Sequence, residues 1–307
     1  MRIMIFAIPG PMALPVLQCL LELPVKVVGL IHPAPPGMPA LAALPPTAPT
    51  ARHEVVTPAN LATLADRAGI PRYAVSRAGV PALAELLASQ RVDLAIVACW
   101  PWRIPPDLLR IPTLGFLNLH PSPLPELRGP EPLFWALRLG WTRTAMTVHL
   151  MDKDLDHGPI VRQAWFELPL GERLSAIEGL AGHIAAQMLP AALADLTAPD
   201  WQPQPQPAGG NHYPAPKAAG FTFTANWSVR QAYAFVRAIA EWGHPFTYLS
   251  ADGQTVAIAD AIASQPSARL AMPIVAGEGQ LALQLHDGIL IAQPASLSQQ
   301  AMVSTSF

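Results

Sequence analysis

Two short segments hold the residues best suited to chemistry: Leu117-Asn118-Leu119-His120-Pro121-Ser122-Pro123-Leu124-Pro125 and Leu155-Asp156-His157-Gly158. They supply an amide, an imidazole and a carboxylate, and neither offers a candidate covalent nucleophile. Such a trio suits proton transfer to or from a bound amine, since imidazole titrates near neutral pH and an adjacent carboxylate favours its charged form. Asn118 and His120 stand two apart in an apolar run, so on a β-strand both project from one face. A proline-rich loop ends that run, which puts the pair at the C-terminal edge of a sheet, where open α/β folds bind their ligands. Taken singly, each reads first as a buried polar group satisfied by backbone.

The ordered pattern is more specific than its parts. Asn118, His120, Ser122, Leu124 and Pro125 precede a helical stretch from Glu131 to Gly140 and a strand from Thr144 to Met151, and then come Asp152, Leu155, Asp156 and Gly158. This resembles the folate-dependent formyltransferase superfamily. The resemblance implies that Asn118, His120 and Asp156 are catalytic and that 10-formyltetrahydrofolate is the formyl donor. Amine attack on a formamide-like carbon leaves negative charge on oxygen and a surplus proton on nitrogen. The Asn118 amide and a protonated His120 would donate to that oxygen, and losing one such donor typically costs about 3 kcal/mol of barrier. Asp156 would hold His120 charged or accept the amine proton through a water. No metal is required, and no His/Cys/Asp cluster has metal-ligand spacing.

The same resemblance assigns the donor pocket to the loop Cys99 to Ile104, with Trp100, Trp102, Arg103 and Ile104, together with Ser122, Leu124, Pro125, Met151, Asp152 and Leu155. Trp100 and Trp102 offer ring area for a pterin, and core packing would use the same rings equally well. Asp152 and Asp154 read as turn-forming. On the acceptor side the candidates are Pro9 and Gly10 in the first turn and Arg128, whose guanidinium could clamp an anion or pair with Glu126 or Glu131. Pro123 departs from the usual Leu, and His157 stands where relatives carry Thr or Gly; a solvent-facing His157 is the expectation. His149 reads as packed or pocket-lining.

The 307 residues are 51% hydrophobic and 13% charged, against roughly 25% charged in average globular proteins, so a large core is expected. The net charge of -2 and only three lysines argue against a broad nucleic-acid footprint. Cys19 and Cys99 lie in apolar runs and read as small buried hydrophobes in a cytoplasmic chain. The uncharged stretch Ile3 to Leu21 is interrupted by Pro9, Pro11 and Pro15 and reads as strand, turn and helix rather than a signal peptide or membrane span.

The expected fold is α/β: a doubly wound, mostly parallel, Rossmann-like sheet with a small, mostly β C-terminal domain. Strands are predicted at Arg2 to Ile8, Val25 to Ile31, Arg72 to Val75, Asp93 to Cys99, Gly115 to Leu119, Ala145 to Met151 and Ile160 to Glu167. Helices are predicted at Met12 to Leu23, Pro58 to Ala68 capped by Thr57, Val80 to Ser89, Pro130 to Leu139 and Arg173 to Leu196. His32 to Ala51 reads as a mobile loop. The first turn lacks a glycine triplet, which disfavours a dinucleotide, and Gly277, Gly279 and Ala282 read as a β-turn. Residues 1–198 are taken as the catalytic domain, 199–218 as a Pro/Gln-rich linker and 219–307 as a small domain that the family resemblance implies is barrel-like. In the last, Ser228 to Ala240 is an amphipathic helix, followed by short strands at Thr247 to Leu249, Thr255 to Ile258, Leu281 to Leu285 and Ile289 to Ile291.

Acceptor identity rests on charge. From Gly220 onward three basic residues face five acidic ones, and His32 to Ala51 contains no Lys or Arg. That favours a small amine, such as an amino sugar nucleotide or amino acid derivative, over initiator tRNA, which stays open as the second candidate partner. The same residues would also suit a 10-formyltetrahydrofolate hydrolase or a non-catalytic folate-binding module.

Overall fold

The computed structural model describes residues 1–47, 60–296 and 299. In chain order its elements are β1 (Arg2–Ala7), α1 (Ala13–Glu22), β2 (Lys26–Pro33), β3 (Leu41–Leu44), α2 (Leu61–Arg67), β4 (Arg72–Val75), α3 (Val80–Ser89), β5 (Leu94–Ala98), α4 (Pro106–Leu109) and β6 (Phe116–His120). Then follow α5 (Pro132–Arg138), β7 (Arg143–Leu150), β8 (Ile160–Glu167), α6 (Leu174–Thr197), β9 (Thr222–Thr224), α7 (Val229–Ile239), β10 (Phe246–Leu249), β11 (Thr255–Pro266), β12 (Ile274–Gly277), β13 (Gln280–Leu285) and β14 (Gly288–Pro294).

Two compact units divide these residues: Met1–Arg128, Ala145–Trp165 and Glu178–Asn211 form one, and Gly129–Thr144, Phe166–Ile177 and the described residues from His212 onward form the other. The first holds most of an eight-stranded sheet of order β3-β4-β2-β1-β5-β6-β7-β8. Its centre is parallel, with β4, β2, β1, β5 and β6 running the same way. All five residues of β5 are buried, as strands covered on both faces require. Leu117 and Leu119 of β6 are buried beside Asn118, each contributing about 2 kcal/mol of apolar burial to hold that strand. β7 is antiparallel to β6 and sets His149 opposite Asn118 and Thr147 opposite His120.

The stretch expected to be a loop, His32 to Ala51, differs in part. β2 continues to Pro33, and Leu41–Leu44 pairs antiparallel with β4 as an edge strand. Pro and Ala hid a four-residue strand whose support comes entirely from β4. Residues 48–51 of that stretch, and Thr57 and Pro58 of the expected helix start, lie outside the described residues. The described helix α2 is capped by Asn60, whose side chain accepts from Thr63 N at 2.8 Å.

In the second unit a six-stranded, mostly antiparallel sheet of order β12-β13-β14-β11-β10-β9 packs with α7 and α5. Phe134 of α5 stacks on Trp242 at 5.5 Å and meets Phe235 of α7 edge-on at 5.2 Å. Ala232, Phe235, Val236 and Ile239 are buried along one side of α7, the face its sequence marks out. Gly277, Glu278, Gly279 and Gln280 form the β12–β13 hairpin turn, with Glu278 and Gly279 at positive φ.

Candidate functional site

The sheet and the 151–158 loop bring the sequence trio together. His120 Nδ1 lies 3.8 Å from Asp156 Oδ1, and Asn118 Nδ2 lies 3.3 Å from the same oxygen. His120 and Asp156 are buried, while Asn118 is partly accessible. His149 joins them: its Nε2 is 3.1 Å from Asn118 Nδ2 and 3.7 Å from Asp156 Oδ1.

Backbone carbonyls, which only accept, settle the proton positions on both rings. His149 Nδ1 donates to Leu150 O at 2.9 Å, so in the neutral ring Nε2 is an acceptor and takes a hydrogen from Asn118. His120 Nε2 donates to Leu127 O at 3.0 Å, leaving Nδ1 as the titrating nitrogen, on the Asp156 side. Burial pushes the His120 pKa below its usual value of 6.5; the Asp156 carboxylate and the Leu127 bond oppose that and His149 adds to it. Burial thus favours the neutral ring, opposite in direction to the charged His120 expected as an oxyanion donor. The Asn118 amide nitrogen faces His149 and Asp156 and so supports the carboxylate.

Asp156 adopts φ 56°, the left-handed region, at a cost of about 1 kcal/mol or more for a non-glycine residue. Gly158 explains part of the loop's course: a Cβ there would fall 1.8 Å from Leu150 O, so only glycine lets the chain pass β7 so closely. His157 is exposed, as expected.

The remaining sequence candidates separate into groups. Trp100 and Trp102 contact each other at 4.6 Å, Trp100 meets Phe6 edge-on at 5.3 Å, and both pack on the core that includes Ile104. Core packing thus accounts for much of both rings. Yet Trp100 Nε1 is buried without a hydrogen-bond partner, so this loop retains a donor that a heterocycle could satisfy. Arg103 donates to Lys153 O and lies 3.6 Å from Asp154, joining the 99–104 and 151–155 loops. Asp152 accepts from Asp154 N at 2.8 Å as a turn former, Met151 packs on the core, and Leu155 is exposed.

Ser122 is fully buried and donates to Glu126 O at 2.8 Å, so its hydroxyl shapes the loop that carries Leu124 and Pro125. Thr147, which sequence reading missed, fastens the same loop by donating to Ser122 O at 2.6 Å. Pro9 is exposed and Gly10 partly buried in the turn after β1. Arg128 is not presented to a ligand. It is buried, with its guanidinium donating to Gln206 Oε1 at 2.7 Å, Gly209 O at 3.0 Å and Asp156 O at 3.2 Å. Neither the anion clamp nor the pairing with Glu126 or Glu131 is realised, because the following chain folds over the side chain.

Among the described residues no group of three His, Cys, Asp or Glu could hold a metal ion, and no helix is long and apolar enough to cross a membrane. The formyl transferase family pattern matches residues 43–193. Over 271 residues the chain is 32% identical to a methionyl-tRNA formyltransferase of Synechococcus sp. (strain JA-3-3Ab), spanning 86% of this chain and 78% of that relative. The methionyl-tRNA formyltransferase of Bacillus subtilis (strain 168) is 25% identical over 282 residues, spanning 91% of this chain and 82% of that one. Among solved structures, methionyl-tRNA formyltransferase from Clostridium thermocellum superposes with a TM-score of 0.57 at 14% identity, over 86% of this chain and 93% of that one. HypX from Aquifex aeolicus in complex with tetrahydrofolic acid gives 0.61 at 14% identity, over 95% of this chain and 43% of that one. These matches define a one-carbon group transferase. The chain belongs to the formyl transferase family, and 10-formyltetrahydrofolate is its formyl donor.

Proposed function

We propose that the chain formylates the α-amino group of methionyl-tRNA, with Asn118, His120 and Asp156 as catalytic residues. For the acceptor, the carrying observation is the 32% identity to a methionyl-tRNA formyltransferase, which extends over 86% of the chain and so reaches well past the sheet unit. The folate, when bound, supplies an electrophilic formyl carbon. Trp100 and Trp102 would line its pocket, with the unpartnered Trp100 indole N–H available to it. His120 Nδ1 takes the proton shed by the amine and returns it to the departing nitrogen, a role that a ring neutral at rest can begin. Asp156 Oδ1, 3.8 Å away, stabilises the imidazolium in between. Asn118 holds that carboxylate through its amide nitrogen, and His149 fixes the amide's orientation.

A small amine acceptor is the second reading, favoured by the three basic and five acidic residues from Gly220 onward. One assay separates the two. Purified protein is given 10-formyltetrahydrofolate with charged initiator tRNA, with a panel of small amines, or with no acceptor, and tetrahydrofolate release is followed. Turnover confined to methionyl-tRNA supports the first reading. Turnover on a small amine with none on tRNA replaces it, and acceptor-free turnover makes the protein a hydrolase.

A further inference from the structure

The chain from Gln204 to Asn211, within the Pro/Gln-rich stretch that reads as an extended linker, is attached to the site. Ile160 N donates to Gln204 O at 3.0 Å, and Arg128 N donates to Asn211 O at 3.0 Å. Between these anchors, Gln206 Nε2 donates to Asp156 O and to Gly158 O, both at 2.8 Å. Its Oε1 accepts from Arg128 Nε at 3.1 Å and Nη2 at 2.7 Å. Arg128 Nε also reaches Asp156 O at 3.2 Å. The carbonyl of the one residue in this loop with φ 56° thus receives two side-chain donors, which are themselves bonded to each other.

We propose that Gln206 and Arg128 form a clasp on the Asp156 peptide, and that Gln206 is a positioning residue setting the carboxylate's distance from His120. The inference rests on the reading of Asp156 given under Proposed function. Its physical basis is that a left-handed aspartate relaxes towards ordinary backbone angles unless neighbours over-determine it. Rotation of that peptide swings the side chain, and displacement of a catalytic group by about 1 Å can cost about 100-fold in rate.

Gln206→Glu is the decisive variant. It keeps an oxygen for Arg128, so the strap stays tethered, but it cannot donate to Asp156 O or Gly158 O. Gln206→Met removes both functions. Two readouts apply to the full chain: kcat and KM for formyl transfer, and the His120 titration followed by imidazole NMR without ligand. The titratable groups facing His120 are Asp156 and His149, so withdrawal of Asp156 lowers the His120 midpoint. The expected result for Gln206→Glu is a fall in kcat of about 10- to 100-fold, with donor KM little changed and the His120 midpoint moved to lower pH. Wild-type kcat and an unmoved midpoint in Gln206→Glu overturn the clasp, whether or not Gln206→Met folds. A wild-type protein without formyl transfer would instead sink the functional reading, and the titration would still decide the clasp.

Discussion

Asn118 and His149 face each other across the β6–β7 pair, with the Asn118 amide nitrogen 3.1 Å from His149 Nε2. One imidazole of the site therefore orients an amide, while the other keeps its Nδ1 on the Asp156 side.

Replacing His149 by Leu removes the acceptor that fixes Asn118, and kcat should fall by about 10-fold, whereas His149→Gln, which retains an acceptor, should recover part of the loss. Steady-state kinetics at saturating donor check this. Equal rates for wild type and His149→Leu would remove His149 from the mechanism.

The pH profile tests the neutral resting state of His120. Burial lowers its pKa from 6.5, so kcat/KM should hold through neutrality and decline only on acidification below that value. Asp156→Asn removes the charge that opposes burial, so the acid limb should move further down while kcat falls by about 100-fold or more. The same depression links to stability: the unfolded chain binds the proton more readily, so the contribution of a neutral buried His120 is present above about pH 6.5 and is lost as pH falls. An acid limb centred above pH 7 contradicts the assignment.

Gly158→Ala should unfold the 151–158 loop or abolish transfer, because a Cβ would sit 1.8 Å from Leu150 O. Circular dichroism with activity measurement separates the two results. A fully active, stable alanine variant would show that the loop does not run where the structure places it.

Far from the site, Asp66 is held by Arg72 at 2.8 Å and by Thr47 N at 2.7 Å. Burial alone would raise its pKa, but the bonds to Arg72 and Thr47 outweigh that and bring it down to about 2. The depressed value means that the stabilisation is present above the unfolded pKa near 3.8 and is lost as pH falls towards 2. Asp66→Asn should cost about 1 to 2 kcal/mol at pH 7 and little at pH 2, measured by urea unfolding at both.

β5 was legible because a parallel strand covered on both faces must be apolar throughout, and it agrees with the predicted bounds to within one residue at each end; Arg72–Val75 and the edge strand Ile160–Glu167, which is only partly buried, agree at both ends. Asn118 and His120 were legible through their two-residue spacing. His149 could have been placed only by knowing that β7 runs antiparallel to β6 in that register, which is a tertiary fact. Leu41–Leu44 escaped notice because its pairing lies with a strand about thirty residues on. Arg128 looked like an anion clamp because nothing local shows that Gln206, 78 positions later, meets it. The long strand β11 was seen only to Ile258, since its alternation fades where bulges interrupt its pairing with β14.

The clasp on Asp156 also gives the site a history. A nascent chain that has emerged only as far as residue 198 already carries the amide, the imidazoles and the carboxylate, yet lacks the glutamine that arrives eight residues later. Assembly of the reactive geometry on the ribosome must therefore wait for the segment after α6, and a truncation made at that apparent boundary would keep all four side chains while removing the donor that positions one of them.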